Sequence, residues 1–280
     1  MTIQQIDQII QDGEVLKVLS DTFGEIALLK IRKIRAGVER NRSFFGEIIE
    51  VYRQVKKEAS KRGIKLQKTK DTISILLASN YRFYGGITNR LLEFFTIYTT
   101  KTKTDRLIIG KTAIDQLKFM RYASSYSSRV FKTDMPTDAE LLSLVEGVKG
   151  YKKILVFYPQ LKSLLVQNPT VIDITQSHQN ESQSAEGASI TSFIFEPEIK
   201  KTLEFFDSQL TTLLLEQLFL ESELARTGSR LISMDQAQVD ANAYIKEKKR
   251  FKARIIRTLN NNRNIEQATS LAALKRERYS

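Results

Sequence analysis

The chain has 280 residues, 41% hydrophobic and 27% charged, with a net charge of +12 that asks for an acidic partner such as nucleic acid, an anionic membrane surface or an acidic protein. It contains no cysteine, which excludes disulfides, thiolate metal sites and thiol nucleophiles together. No apolar run reaches the ~18 residues of a membrane helix and no basic-then-apolar leader opens the chain, so a cytosolic location is expected.

Proline divides the sequence. All four prolines lie at Pro136, Pro159, Pro169 and Pro197. Proline costs a helix interior roughly 3 kcal/mol, so both proline-free flanks can be long helices. In the N-terminal flank Ile31, Val38, Phe45 and Tyr52 recur every seven residues. Ile34, Ile48 and Val55 occupy the other seam position, with polar Asn41 interrupting it, which is a coiled-coil pattern. Gly13, Gly24, Gly37 and Gly46 each weaken such a helix by roughly 1 kcal/mol relative to alanine, and Gly63 marks its expected stop.

Between the flanks the texture changes. "TISILLASN" (72–80), "DRLIIG" (105–110), "YKKILVFYP" (151–159) and "ITSFIF" (190–195) read as short strands, with helices around 87–100, 111–122 and 137–147. Alternating strand and helix implies an α/β layer structure with a mainly parallel sheet. The segment 175–189 is polar, low in complexity and expected to be a mobile loop. The expected division is an N-terminal helix over 1–66, an α/β domain over 67–197 and a C-terminal helix over 198–280. The two helices are expected to pair as an antiparallel coiled coil.

The C-terminal flank reads helical from Glu198 to about Leu274, roughly 115 Å at 1.5 Å per residue. Its first part, "LLLEQLFLESEL", is strongly apolar. Beyond it the heptad seam survives only in pieces: Leu224, Leu231, Gln238, Ile245, Lys252 and Leu259. Such a helix must lie against something, but not through a continuous dry interface.

Catalytic chemistry is hard to place. "SNYRFYGGITNR" has Gly85 and Gly86 between a strand and a helix, yet lacks the lysine-serine/threonine ending of a phosphate loop and the third glycine of a dinucleotide turn. It reads as a tight structural turn. The one histidine, His178, sits in the polar loop. Glu196 and Glu198 flank Pro197 at a helix start, where acidic residues favour the helix dipole. No enzyme activity, cofactor or metal site is expected. Charge is the stronger signal. Residues 246–263 carry eight basic side chains (Lys246, Lys248, Lys249, Arg250, Lys252, Arg254, Arg257, Arg263) against one acid, Glu247. A second cluster, Lys30, Arg32, Lys33, Arg35, Arg40 and Arg42, faces only Glu39. Like charges at i,i+3 and i,i+4 repel within a helix, so an acidic protein or nucleic acid is expected opposite them.

Several stretches resemble one family. "LLASNYRFYGGITN", "LIIGKTAIDQLKF", "FIFEPEIKKTLEFF" and "SRLISMDQAQVDANAYIKE" resemble, in order, segments of the gamma subunit, the central shaft, of F-type rotary ATPases, the last with Arg230, Met234, Ile245, Lys246 and Glu247 in register. "LNNNRNIEQATSLAAL" resembles the family's terminal segment, with Arg263 and Asn264 standing for an arginine–glutamine pair. That register takes about seven extra residues after Glu247, which turn a helix by roughly 20°. Arg226 stands where an acidic residue is usual.

The resemblance implies an antiparallel coiled coil of long N- and C-terminal helices with an inserted Rossmann-like α/β domain. It implies a non-catalytic rotor inside a hexamer of alternating alpha and beta ATPase subunits. Ring contacts would fall on Lys246, Lys248, Lys249, Arg250, Lys252, Arg254, Arg257, Arg263 and Asn264. An epsilon-like or other rotor component would meet the α/β domain. The location would be cytoplasmic and peripheral, with the membrane touched only indirectly and no nucleic acid bound. The rival reading is a basic coiled-coil scaffold that binds nucleic acid with salt-sensitive affinity, although no aromatic–basic interleaving supports it.

Overall fold

The computed structural model describes residues 2–64, 68–175 and 198–278. The expected strand at 190–195, the loop with His178, and Glu196 lie outside the described residues, as does the side chain of Phe45. Helix α1 spans Ile3–Lys61. It is followed by β1 (Lys70–Leu77), α2 (Ile87–Thr100), β2 (Asp105–Ile109), α3 (Lys111–Phe119) and β3 (Ser127–Arg129). Then come α4 (Asp138–Val148), β4 (Tyr151–Leu161), β5 (Gln167–Asp173) and α5 (Ile199–Arg278).

The sheet has the order β3-β2-β1-β4-β5. The pairs β1–β2, β1–β4 and β2–β3 are parallel, and β4–β5 is antiparallel. The inner strands are continuous apolar runs because both sheet faces are covered. On one face, Leu91, Phe95 and Leu117 of α2 and α3 pack on Leu76, Ile108 and Phe157, with Phe95 edge-on to Phe157 at 5.1 Å between ring centroids. On the other, Leu144 and Val148 of α4 join Leu215, Leu218 and Phe219 of α5 against Ile75, Leu77 and Val156. The apolar start of the C-terminal flank thus serves as a layer of the α/β domain. Helix α4 begins with a capping box in which Thr137 and Glu140 satisfy each other's backbone amides.

Two strands went unanticipated. β3 is three polar-to-basic residues at a sheet edge and has no apolar run to announce it. β5 contains Pro169, paired in register with Pro159 of β4. An edge strand tolerates proline. Pro159 is tolerated because the ladder of β4 with β1 has already ended, at Phe157 opposite Leu76.

The chain separates into two compact units. In the larger, residues 27–232, Ile31 and Ile34 of α1 pack with Leu224 of α5, and Tyr52, Val55 and Ala59 pack with Ile199, Leu203 and Leu210. The helices there run antiparallel along the expected heptad seam. Asn41 is buried in it, its side-chain amide reaching the Leu213 carbonyl at 3.5 Å. In the smaller unit, residues 1–26 and 233–280, Ile6 and Ile10 pack with Ile245 and Ile255. A Cβ at Gly13 would stand 2.9 Å from Ile245 Cγ1, so the glycine that weakens α1 lets α5 approach closely.

Gly110, between β2 and α3, has φ 110°, and a Cβ there would meet the Ala78 carbonyl carbon at 2.6 Å. Backbone rather than a flexible side chain is in the way. Gly110→Ala is therefore expected to lower stability by about 1–3 kcal/mol or more, measured by denaturant unfolding. A loss below half a kcal/mol would show that the turn can relax.

Candidate functional site: a cationic helix face and a buried charge cluster

In the smaller unit the basic segment of α5 divides by side. Lys249 Nζ binds Glu14 at 2.9 Å and Lys252 Nζ binds Asp7 at 2.5 Å, tying α5 to α1 on either side of Ile245. Lys248 stays local, 3.1 Å from Glu247 and 4.9 Å from the centroid of the Tyr244 ring. Lys246, Arg250, Arg254 and Arg257 are exposed and make no ion pair among the described residues. At 3.6 residues per turn these four fall within an arc of about 80°, on the face away from the α1 seam. The eight basic residues are therefore not one surface: three serve internal or local contacts, four form a free cationic stripe, and the eighth, Arg263, lies farther along the helix.

Beyond Ile255 the seam ends. Every described side chain from Ile256 to Leu271 is exposed, including Arg263, Asn264, Leu259 and Ile265. A helix that packs against nothing is marginal in water, since most helical stability comes from a buried face.

The larger unit holds a cluster that sequence reasoning missed. Ser222 through Arg230 are all buried, although the stretch is mostly polar or charged. Among the described residues Arg226 is the largest fully buried side chain. Its Nη2 donates to Glu223 Oε2 at 2.9 Å and its Nη1 to Ser222 Oγ at 2.8 Å and the Ala78 carbonyl at 3.3 Å. Lys30 of α1 pairs with the other oxygen of Glu223. So Lys30, read above as part of a basic cluster facing an acidic partner, is engaged within this chain, although its side chain stays 37% exposed. One turn on, Arg230 lies 4.0 Å from the centroid of the Tyr84 ring and donates to the Arg82 and Phe83 carbonyls at 3.1 and 3.3 Å. Ser229 Oγ donates to the Tyr84 carbonyl at 2.8 Å.

The double-glycine turn is thus a gripping loop. Tyr84 OH and Ser79 Oγ donate to Asp134 at 2.8 and 2.6 Å, and burial, with Glu223 and Asp134 nearby, pushes the Tyr84 phenol up. Of the two glycines only Gly85 has a positive φ, at 60°, close to the 67° of Phe83 in the same turn, while Gly86 has open space beside it. Burial disfavours the Glu223 carboxylate, but Arg226 and Lys30 together outweigh it and hold the carboxyl below its ordinary range. The signal available in sequence was the Glu223–Arg226 spacing of three residues in a stretch containing small Ala225 and Gly228. Beside the turn lies a cleft of about 540 Å³ lined by Tyr81, Phe83, Asp115 and Phe119 among others. Among the described residues no three His, Cys, Asp or Glu side chains are grouped to hold a metal.

Two long helices bracketing this mixed sheet define the fold of an ATP synthase central stalk. The rotor of the Euglena gracilis mitochondrial ATP synthase aligns with a TM-score of 0.60 at 12% identity, covering 92% of this chain and 98% of that one. The central stalk/c-ring structure of the Tetrahymena thermophila enzyme aligns with a TM-score of 0.58 at 13% identity, covering 78% and 99%. In sequence, the ATP synthase gamma chain of Rubrobacter xylanophilus is 21% identical over 257 residues, covering 87% of this chain and 88% of that one. The gamma chain of Clostridium acetobutylicum is 24% identical over 243 residues, covering 81% and 82%. The family model described as ATP synthase matches residues 2–255. The chain belongs to this ATP synthase family, and its role is that of the gamma chain, the rotor shaft. No helix among the described residues is long and apolar enough to cross a membrane.

Proposed function

We propose that this shaft turns inside a hexamer of alternating alpha and beta ATPase subunits, with the free stripe Lys246, Arg250, Arg254 and Arg257 facing acidic surfaces of that ring. Arg263 and Asn264, farther along the uncovered helix, contact a loop of one catalytic subunit. The observation that carries this reading is the end of α5: a helix exposed on every described side from Ile256 to Leu271, in a family of rotor shafts. A shaft must not bury its surface at one fixed angle, because each kcal/mol of preference becomes a barrier to leaving it. Long-range attraction between charges drives such a surface with less geometric locking than dry packing.

On this reading ATP turns over in the ring, and the chain supplies asymmetry rather than catalytic groups. Its α/β domain couples to an epsilon-like or other rotor component, on the cytoplasmic face of the membrane. The domain plan is a helix over 1–66, an α/β domain over 67–197 and a helix over 198–280.

The test is a native pull-down through a tag in the 175–189 segment, followed by native mass spectrometry and an ATPase assay. Three copies each of two ATPase chains per copy of this one are expected. Recovery of nucleic acid, or of this chain associated only with itself, would replace the shaft reading with a basic scaffold.

A further inference from the structure

We propose that Lys30, Glu223 and Arg226 form a torsional rivet, locking both long helices to the end of β1 so that twist in the helices turns the α/β domain without slip. Its purpose rests on the rotor role proposed above. Its existence rests on geometry inside residues 27–232 alone.

The three side chains make one unbroken line. Lys30 stands on α1, and Glu223 and Arg226 stand on α5. Arg226 Nη1 ends on the Leu77 and Ala78 carbonyls at 3.5 and 3.3 Å, where β1 gives way to the gripping loop. Glu223 is shared: one oxygen takes Lys30 and the other takes Nε and Nη2 of Arg226. Its side chain is 0% exposed and that of Arg226 2%. Ser229 and Arg230 add a second hold on the loop carbonyls one turn later.

Stability does not explain this choice of residues. A buried ion pair replaced by apolar side chains of similar volume is often as stable or more so. The surrounding layer of Leu215, Leu218 and Phe219 is already apolar. What an apolar layer lacks is direction: burial resists separation of the surfaces and opposes sliding only weakly. Hydrogen bonds weaken steeply once their angle falls toward 120°, and charge-assisted ones are the strongest. A charge triad at the crossing of three elements therefore restrains rotation of one against another. Burial by apolar residues would not.

The native chain has no cysteine, so Lys33→Cys on α1 and Lys118→Cys on α3, both exposed sites, can be spin-labelled cleanly in the full chain. The width of the distance distribution by pulsed electron resonance reports twist between helix and domain. In Lys30→Met/Glu223→Leu/Arg226→Met the width is expected to grow about twofold, as directional bonds give way to apolar contact, with melting temperature kept or raised. Lys30→Met alone removes the link to α1 and leaves Glu223 paired with Arg226 and Arg226 bonded to β1. It is expected to broaden the distribution as well, with the melting temperature kept, and it decides the matter if the triple variant does not fold. An unchanged width, or broadening that appears only with a lower melting temperature, overturns the rivet. A pull-down without ATPase chains would remove the rotor purpose and leave this measurement standing.

Discussion

Replacing Lys246, Arg250, Arg254 and Arg257 together by glutamate is expected to abolish ATP-driven rotation and to slow association with the ring about 10- to 1000-fold at low salt. The four residues make no internal ion pair among the described residues, so the contact of α5 with α1 has no reason to change. Reversal also keeps the spacing of like charges at i,i+4 and i,i+3, so their repulsion within the helix is about the same before and after. Helix content by circular dichroism should stay put while coupling fails. Reversing Lys249 and Lys252 is the contrasting variant, because it sets like charges against Glu14 and Asp7 and should part the two helices. Wild-type association should weaken with salt, since exposed charges are screened beyond about 8–10 Å at ordinary ionic strength. Normal rotation in the fourfold variant would reject the electrostatic reading of this face.

Arg226→Leu is expected to cost about 3 kcal/mol in denaturant unfolding, the lower part of the range for breaking a buried pair, because Lys30 still accompanies Glu223. The pH dependence gives a signed check. In the native protein the carboxyl of Glu223 titrates below its ordinary value. Its contribution is therefore present above the unfolded pKa, about 4.3 for glutamate, and lost as pH falls through the lower folded value. In Arg226→Leu burial acts on the carboxylate with less opposition, which favours the protonated form. The deficit of the variant relative to wild type should shrink on acidification. A deficit that stayed constant from neutral pH to pH 4 would mean that Glu223 is not the group left unpaired.

The two ends of α5 show how far the residues alone could carry the reading. The stretch 246–263 announces itself by charge density, and the expectation of an acidic partner needs nothing more. Which of its cations remain available is another question. Lys249 and Lys252 sit among the rest in sequence, yet Glu14 and Asp7, more than 200 positions away, claim them. At 222–230 the broken heptad seam implies a helix that lies against something without a continuous dry interface. The structure buries that stretch and satisfies its charges with Lys30 and with carbonyls of the β1–α2 turn, partners that spacing alone does not name.

What the sequence by itself determined is what local chemistry controls. Proline-free flanks with heptad spacing became long helices, continuous apolar runs such as "TISILL" became inner parallel strands, and Gly110 occupies a backbone geometry that only glycine reaches without strain. These follow from the backbone and from side-chain periodicity, which act over a few residues. Only the tertiary structure decided that the apolar start of α5 would also roof the sheet. Only it placed a polar segment in the interior and set Pro159 opposite Pro169 where the inner ladder ends. Each of these depends on a partner far along the chain. Whether a charge is solvated, paired or left for another molecule is settled by what lies across from it in space.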